Sequence, residues 1–565
     1  MELGLGQNAR FSPHAQRLSI VALVGVLSLA ILFHQQILNG FTHLISDPQD
    51  GFIEVAILEH WYNSFRLLEE WSRPIYFHPV PATLGYNDGY LIYGAIYSLF
   101  RAVGADMFLA SELVNVVIRA IGYAGFYLAC RRILALEWRW AAFGALMFTI
   151  SNNAFMHAHH QQLLTVAFVP VLAVLLDGMA QAFLSKRRWP LLAWGASAAF
   201  FYAAWLLTAF YMAWFCVLFA MPFVLLRILV SKAAEWKRVW AGLRCHILTL
   251  FALMALFVLF CSPFLALYLP KAGESGMHRY DAVSFFEPVP LDIVHVGQEN
   301  ILFGWADRAL NDHFRPGFPI FSEHTTGFPP GILALSVVAL LWLPRAGASR
   351  RALLYAMGGA IVLSWLACLK FGDFSLYALI YDWVPGAKAV RVVSRYQIFL
   401  AGPVIALVTA FLASQGQRLP RVALAALGLF LIAEEINIWP NLNIDRKAHL
   451  ARLAAIPSAP AECRAFYVSK ADPDYLQQDP VIDGLYRHSV DAMLLAEWRH
   501  LPTINGYDSF VPPNYFLFYP ERPDYVNLVV RHVDYYGVQG LCGLDMAAKR
   551  WTIGGPNAPV PPPVG

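Results

Sequence analysis

Charge is scarce in this sequence. Asp, Glu, Lys and Arg make up 14% of its 565 residues, whereas a soluble domain carries roughly 25%. The formal net charge is +3, too small at this length to create the basic field that nucleic-acid binding requires, so no nucleic-acid partner is expected. None of the seven cysteines stands in a C-x-x-C pair, which excludes zinc ribbons and thioredoxin-type redox motifs. No Gly-rich phosphate loop links a strand to a helix, so no nucleotide-sugar site is expected. There is also no internal repeat of the kind that builds inverted-repeat transporters.

What the chain has instead is apolar length. It is 58% hydrophobic, with a mean hydropathy of +0.50. Apolar runs of about 18–25 residues recur along most of it, the pattern of membrane-crossing helices. The run from Leu18 to Leu38 is too long for a signal-peptide core, and no small-residue cleavage site follows it, so it reads as a retained anchor. Arg10 and Arg17 precede it and place the N-terminus in the cytoplasm.

About eleven spans are expected, near 18–38, 107–130, 139–156, 162–181, 189–206, 208–230, 246–269, 329–344, 352–369, 396–414 and 421–439. The connections that fall inside are then Arg131/Arg132, Lys186–Arg188, Lys232–Arg244, Arg345–Arg351 and Arg418–Arg421. All are basic, as the positive-inside rule asks, and the C-terminus lies outside. Counting Tyr90–Val103 as a span would invert every later loop. This short segment is therefore expected to lie along the interface as a lateral helix.

The fold class that follows is an α-helical polytopic membrane protein. Its transmembrane domain covers 1–440, with outer loops at 39–106 and 270–328. A small extracytoplasmic α/β domain covers 441–565, with strand-like runs "CRAFYVS" and "YVNLVVRHV" and a Pro-rich end after Gly554. Cys463 and Cys542 are the two cysteines this topology puts outside, where an oxidising compartment would allow a disulfide. The other five fall in or beside spans and read as small apolar residues.

Several polar groups stand out on the outer side. "HLISDPQDGF" puts Asp47 and Asp50 just beyond the first span, where a carboxylate can act as a general base or ligate a cation; the same residues also make ordinary turns. His78, Asn87 and Asp88 precede the lateral helix, and Asp88 suits its N-cap. "SNNAFMHAHHQQLL" groups His157, His159, His160, Gln161 and Gln162 at the membrane surface. They could meet a metal or a phosphate, or form a solvated connection.

"WVPGAKAVRVVSRYQIFLAG" carries Lys388, Arg391 and Arg395 on the side where the topology rule disfavours basic residues. The two arginines share a face if a helix has begun there, and adjacent arginines grip phosphate. Alternatively they pair with Asp373, Asp382 or the first-loop carboxylates. The 270–328 loop holds Glu274, His278, Arg279, Asp281, Glu287 and Glu323 without diagnostic spacing. Its aromatics fit sugar stacking or an interfacial belt.

The order of these features resembles the GT-C superfamily of membrane glycosyltransferases. The resemblance rests on "SDPQDG" opening a large outer loop with a lateral helix, then "ACRRILAL", "FTISNNAFMHAHHQQLL", "VPGAKAVRVVSRY" and "LPTINGYDSFVPPNY". It covers most of the chain through short, degenerate motifs. It implies an inner-membrane enzyme that transfers a sugar from a polyprenyl-phosphate donor, with inversion, to a glycan or lipid acceptor on the outer face. The family's first-loop acidic residue corresponds to Asp47, with Asp50 next. Its phosphate-holding basic residues correspond to Arg391 and Arg395.

Metal-using members add a second acidic motif in the next outer loop. Here histidines stand there, so a divalent cation, magnesium or manganese, would rest on Asp47 and His159. Two other readings are a flippase or transporter of a lipid-linked saccharide, and a non-catalytic assembly protein with this fold. Polar residues within the spans (Glu112, Asn115, Arg119, Asp177, Glu434 and Glu435) are what a transporter would use.

Overall fold

The computed structural model describes residues 13–46, 48–316, 322–345, 348–416, 418–440, 442–472 and 480–555. Asp47 lies outside the described residues. The chain is a mostly helical, multi-pass membrane protein. Among the described residues, seven helices are long and apolar enough to cross a membrane: His14–Leu32, Met107–Arg132, Gln161–Leu184, Phe210–Leu229, Ala233–Ser275, Arg350–Cys368 and Val393–Gln415. The other four expected segments are helical as well. Arg188–Leu206 has 19 residues, whereas Trp138–Thr149, Pro330–Trp342 and Arg421–Glu435 have 12, 13 and 15. At 1.5 Å per residue those three rise only about 18–23 Å, short of a full hydrocarbon core.

The helices divide by what surrounds them. Along Ala233–Ser275, Leu248, Phe251 and Leu259 are more than half exposed, as lipid-facing residues must be when no water is present to repel them. The helix Tyr396–Gln415 is the opposite case. It is buried without a break from Tyr396 to Ile405, so it forms the centre of the bundle. Arg395 sits at its N-terminal end.

The first outer loop contains more structure than its sequence announced. Asp50–Phe65 is a helix, buried continuously from Gly51 to Trp61. A helix apolar on every side belongs in a core, and its polar members have partners. Glu59 takes Arg101 with both oxygens, at 2.7 and 2.8 Å. The segment expected to be the lateral helix is helical over Leu91–Ala102 and lies against this loop helix. Gly94 permits the contact, since a Cβ there would stand 2.4 Å from Trp61. Asp88 does not cap the lateral helix. Tyr90 occupies that cap position in the left-handed region, with φ of 52°.

In the tail, Ala465–Lys470 pairs in parallel with Leu541–Asp545, which pairs antiparallel with Arg550–Thr552. The segment "YVNLVVRHV" is not a strand but part of the helix Tyr525–Tyr536. Its apolar residues also satisfy a four-residue period: Tyr525 and Val529 are buried and Val533 packs beside them. Cys463 and Cys542 form a disulfide with Cα atoms 5.5 Å apart.

The tail grips the first loop through backbone bonds. Thr503 N–H donates to Ile75 O at 3.0 Å, His78 N–H to Thr503 O at 2.9 Å, and Phe510 N–H to Tyr86 O at 3.0 Å.

Candidate active site

The start of the helix Phe210–Leu229 organises the site. Its first backbone N–H, on Phe210, donates to Asp88 Oδ1 at 2.8 Å. Asp88 therefore caps a membrane span, where the helix dipole favours a carboxylate. The next residue, Tyr211, accepts the backbone N–H of Arg391 at 2.9 Å, and its ring lies 5.3 Å from the Arg395 guanidinium. Asp88 and Arg395 are thus gathered at two consecutive residues. Tyr90 is held in its strained backbone by its N–H to Thr208 O at 2.9 Å and its hydroxyl to Glu54 at 3.0 Å. Strain over-determined in this way tends to collect at functional sites.

Arg395 is buried and bound to Glu323 by two hydrogen bonds, one of them 2.8 Å from Nε to Oε2. His160 Nε2 approaches the same carboxylate at 3.5 Å. Burial would raise the Glu323 carboxyl, but Arg395 and His160 outweigh it and hold it well below the usual range. Arg391 behaves differently. It precedes the helical turn Val393–Arg395, because Val392 is extended. The two arginines therefore do not share a helix face. Arg391 is exposed, lies 5.4 Å from the Phe286 ring, and pairs with no carboxylate among the described residues. Lys388 is also exposed, 4.0 Å from Asp382 and 5.1 Å from the Tyr381 ring.

The histidine segment is not a solvated connection. His157 is buried and faces Thr325 O at 2.9 Å, and burial pushes its imidazole down to about 4. His159 is also held well below the ordinary imidazole range, by burial and then by His160 and His157. Burial in this way favours the neutral imidazole for both. Gln161 points away from the site, donating to Ser111 Oγ at 2.7 Å. The backbone carbonyl of His159 accepts from Ser46 Oγ at 3.3 Å, which ties this segment to the start of the first loop.

Two carboxyls of this region are held well above the usual carboxylate range. Burial raises Asp88 to about 6, with the Phe210 N–H and the charge of Arg395 pulling the other way. Burial raises Asp508 to about 8, with the charge of Asp50 adding to it. Asp508 accepts from Tyr76 Oη at 3.2 Å and from the Asn87 amide. Asp50, in the first turn of its helix, also acts electrostatically on Arg395. Residues 50, 88, 395 and 508 thus share one electrostatic environment, to which perturbed carboxyls give a functional character.

Asp508 was not singled out in the sequence, and Glu323 stood there only as one of six ionisable groups in the 270–328 loop without diagnostic spacing. The partners of Glu323 and Asp508 lie 72 and 421 positions away, so no spacing could show them. The one local hint was the polar run Glu323–Thr326. A magnesium ion on Asp47 and His159 would need a shell of oxygens, which the imidazoles do not supply. Among the described residues, the trio able to gather metal-ligating atoms is His60, Glu69 and Glu497, none of which belongs to the histidine segment.

No family model matches this sequence, and no curated protein matches it. Solved structures do. The chain is similar to several of them. One is the oligosaccharyltransferase of Archaeoglobus fulgidus in its apo form, at 11% identity over 87% of this chain and 65% of that chain, with a TM-score of 0.45. A second is the arabinofuranosyltransferase AftD from Mycobacteria, at 16% identity over 87% of this chain and 32% of that one, with a TM-score of 0.49. A third is ArnT from Cupriavidus metallidurans bound to undecaprenyl phosphate, at 13% identity over 87% of this chain and 85% of that chain, with a TM-score of 0.37. The chain therefore spans just under two thirds of the oligosaccharyltransferase and about a third of AftD.

Proposed function

We propose that this chain is an inner-membrane glycosyltransferase that moves a sugar from a polyprenyl-phosphate donor to a glycan or lipid acceptor on the outer face. In this reading the N-terminus is cytoplasmic and the C-terminus extracytoplasmic. The observation that carries the proposal is the arrangement at the N-terminal end of the central helix. An exposed Arg391, without a carboxylate partner among the described residues, stands four residues from a buried, paired Arg395, with Asp88 bound at the neighbouring span. An exposed cation at the edge of an apolar bundle suits a phosphate whose lipid tail remains in the bilayer.

In the proposed mechanism the acceptor hydroxyl gives its proton to a first-loop carboxylate and attacks the anomeric carbon. Asp47 is the carboxylate the family resemblance names, and Asp50 is the one whose charge reaches Arg395. The bond to the lipid phosphate breaks with inversion, and its electrons leave with the phosphate. Arg391 stabilises that developing charge, and Lys388 adds to the field. Such electrostatic stabilisation is usually the largest contribution to transfer chemistry. Arg395 is already neutralised by Glu323, so its role is to position the Val393–Arg395 turn and to set the charge around Asp88.

A transporter would need the polar residues of its helices to face a pathway. Here most of them are engaged in holding the fold. Glu434 accepts the N–H groups of Gly331 and Ile332, both at 2.7 Å, Glu435 accepts that of Asn152 at 2.6 Å, and Glu112 accepts the Gln36 amide at 2.9 Å. The test is transfer from labelled polyprenyl-phosphate sugars by the purified, reconstituted protein, together with glycolipid analysis of cells carrying Asp47→Asn or Asp50→Asn. Loss of transfer and of a glycolipid at normal protein level is expected. Unchanged glycolipids in both variants would overturn the assignment.

A further inference from the structure

The first loop and the tail share a second buried polar cluster, which has no residue in common with the site above. His60 comes from the buried loop helix, Glu69 from the turn that follows it, and Glu497 from the tail helix Pro480–Arg499. Their ligand-type atoms all lie within 4.8 Å of one another. The cluster is sealed: His60 and Glu497 are 0% exposed and the Glu69 side chain 4%. Among the described residues no Lys or Arg pairs with either carboxylate. The remaining basic group is His500, 3.6 Å from Glu69 on the half-open side. Two carboxylates taken out of water together cost several kcal/mol each unless positive charge stands between them.

His60 is oriented to meet that need. Its Nε2 lies 3.0 Å from the carbonyl of Trp71, so this nitrogen carries the hydrogen. Nδ1 is then left directed at Glu69 Oε2, 2.7 Å away. An imidazole fixed by a backbone carbonyl on one nitrogen and facing carboxylates with the other has the outer-shell arrangement of a metal ligand. Asn63 supplies a further observation. Its amide nitrogen sits 2.9 Å from Glu69 Oε1, 2.9 Å from the Glu497 backbone carbonyl and 3.4 Å from Glu497 Oε2. All three are acceptors, so Asn63 holds the two carboxylates together from outside the ligand set.

We propose that His60, Glu69 and Glu497 bind a divalent transition-metal ion that clamps the tail to the first loop. Two carboxylates balance its charge, and one imidazole nitrogen among oxygens suits zinc or manganese. The clamp lies close to the active-site carboxyls along the chain. Glu497 Oε1 also holds the N–H of Ile75 at 3.0 Å, and the next residue, Tyr76, holds Asp508.

The test uses the full-length protein in detergent, stripped with chelator and returned to zinc or manganese separately. Elemental analysis is expected to find about one ion per chain after return of one of the two. The chelator should lower the unfolding temperature by several degrees, and that metal should restore it. Cobalt in its place should give the visible absorption of a mixed nitrogen and oxygen site. Asp47→Asn should keep the ion, whereas His60→Gln and Glu497→Gln should lose it. The proposal is overturned if the wild-type protein takes up neither ion and its unfolding temperature ignores the chelator. It is equally overturned if His60→Gln and Glu497→Gln both retain the ion while Asp47→Asn loses it. None of these readouts depends on transferase activity, so they stand apart from the proposed function.

Discussion

Arg395 donates from Nε to Glu323 Oε2 at 2.8 Å, closing a loop of 72 residues over the N-terminal end of the central helix. This bond divides the labour of two arginines that the sequence had presented as a pair. One is locked into the protein and the other is left open to solvent.

Breaking the locked pair should damage the fold. Glu323→Gln strands a buried guanidinium, and removing one partner of such a pair costs about 3–5 kcal/mol. Thermal unfolding is expected to show a large drop. Arg395→Lys should not rescue the double bond, because an ammonium lacks the planar fork. Unfolding of the wild type and Glu323→Gln at the same temperature would contradict this account.

Arg391→Ala should have the contrasting profile. The side chain is exposed, so stability should change by no more than about 0.5 kcal/mol. Losing a charged hydrogen bond to phosphate is worth about 1.5–3 kcal/mol, or roughly 10- to 100-fold in kcat/KM for the lipid donor. Arg391→Lys should recover part of it. Equal kinetics in the alanine variant would remove Arg391 from the phosphate site.

Asp88 separates capping from chemistry. Asp88→Ala removes the cap on Phe210 and should cost about 1 kcal/mol. Asp88→Asn keeps an oxygen for that N–H and should be nearly as stable as wild type. If the carboxylate takes part in transfer, activity in the wild type should rise as pH passes about 6, and the asparagine variant should lose both the activity and that limb. A loss of about 100-fold or more is expected for a general base. An unchanged pH profile in Asp88→Asn would restrict the residue to capping.

Asp508 predicts a stability effect of definite sign. Its carboxyl is raised from 3.8 to about 8, so the folded state holds a proton that the unfolded chain releases. The resulting stabilisation is complete below about pH 4 and is lost as pH rises toward about 8. Asp508→Asn removes the charge while its amide oxygen still accepts from Asn87. It should flatten this dependence and be the more stable protein at pH 8, by an amount on the order of a kcal/mol or more. Parallel stability curves for the two proteins would refute the assignment.

The tail's disulfide closes a separation of 79 residues. In the chain-entropy model, a loop of that size is worth about 4–5 kcal/mol. Cys542→Ser should therefore lower the unfolding midpoint strongly and make it insensitive to reductant. A small, reductant-sensitive change would count against this pairing.

Much of the architecture was legible without coordinates, since length and apolarity suffice to specify a membrane helix. The helix Leu91–Ala102 and most of the spans follow from hydrophobic runs, and the sidedness expected from the basic residues marked Cys463 and Cys542 as the pair free to join. These are local or one-dimensional signals. The loop helix Asp50–Phe65 escaped notice because a segment buried on every side has no contrasting face to mark its period. Tyr525–Tyr536 was misread because a short apolar run fits a strand as well as a helix.

The site was legible only in part. The sequence by itself determined which charged groups an apolar chain retains: Asp50, Asp88, Arg391, Arg395 and the histidines. Tertiary structure decided what each is for. It turned Asp88 from the lateral helix to the span at Phe210, set Glu323 on Arg395, and buried the histidine segment. The physical reason is that burial and partner charges fix an ionisable group's role, and both come from segments far apart in the chain, 72 positions for Glu323 and Arg395 and 421 for Asn87 and Asp508.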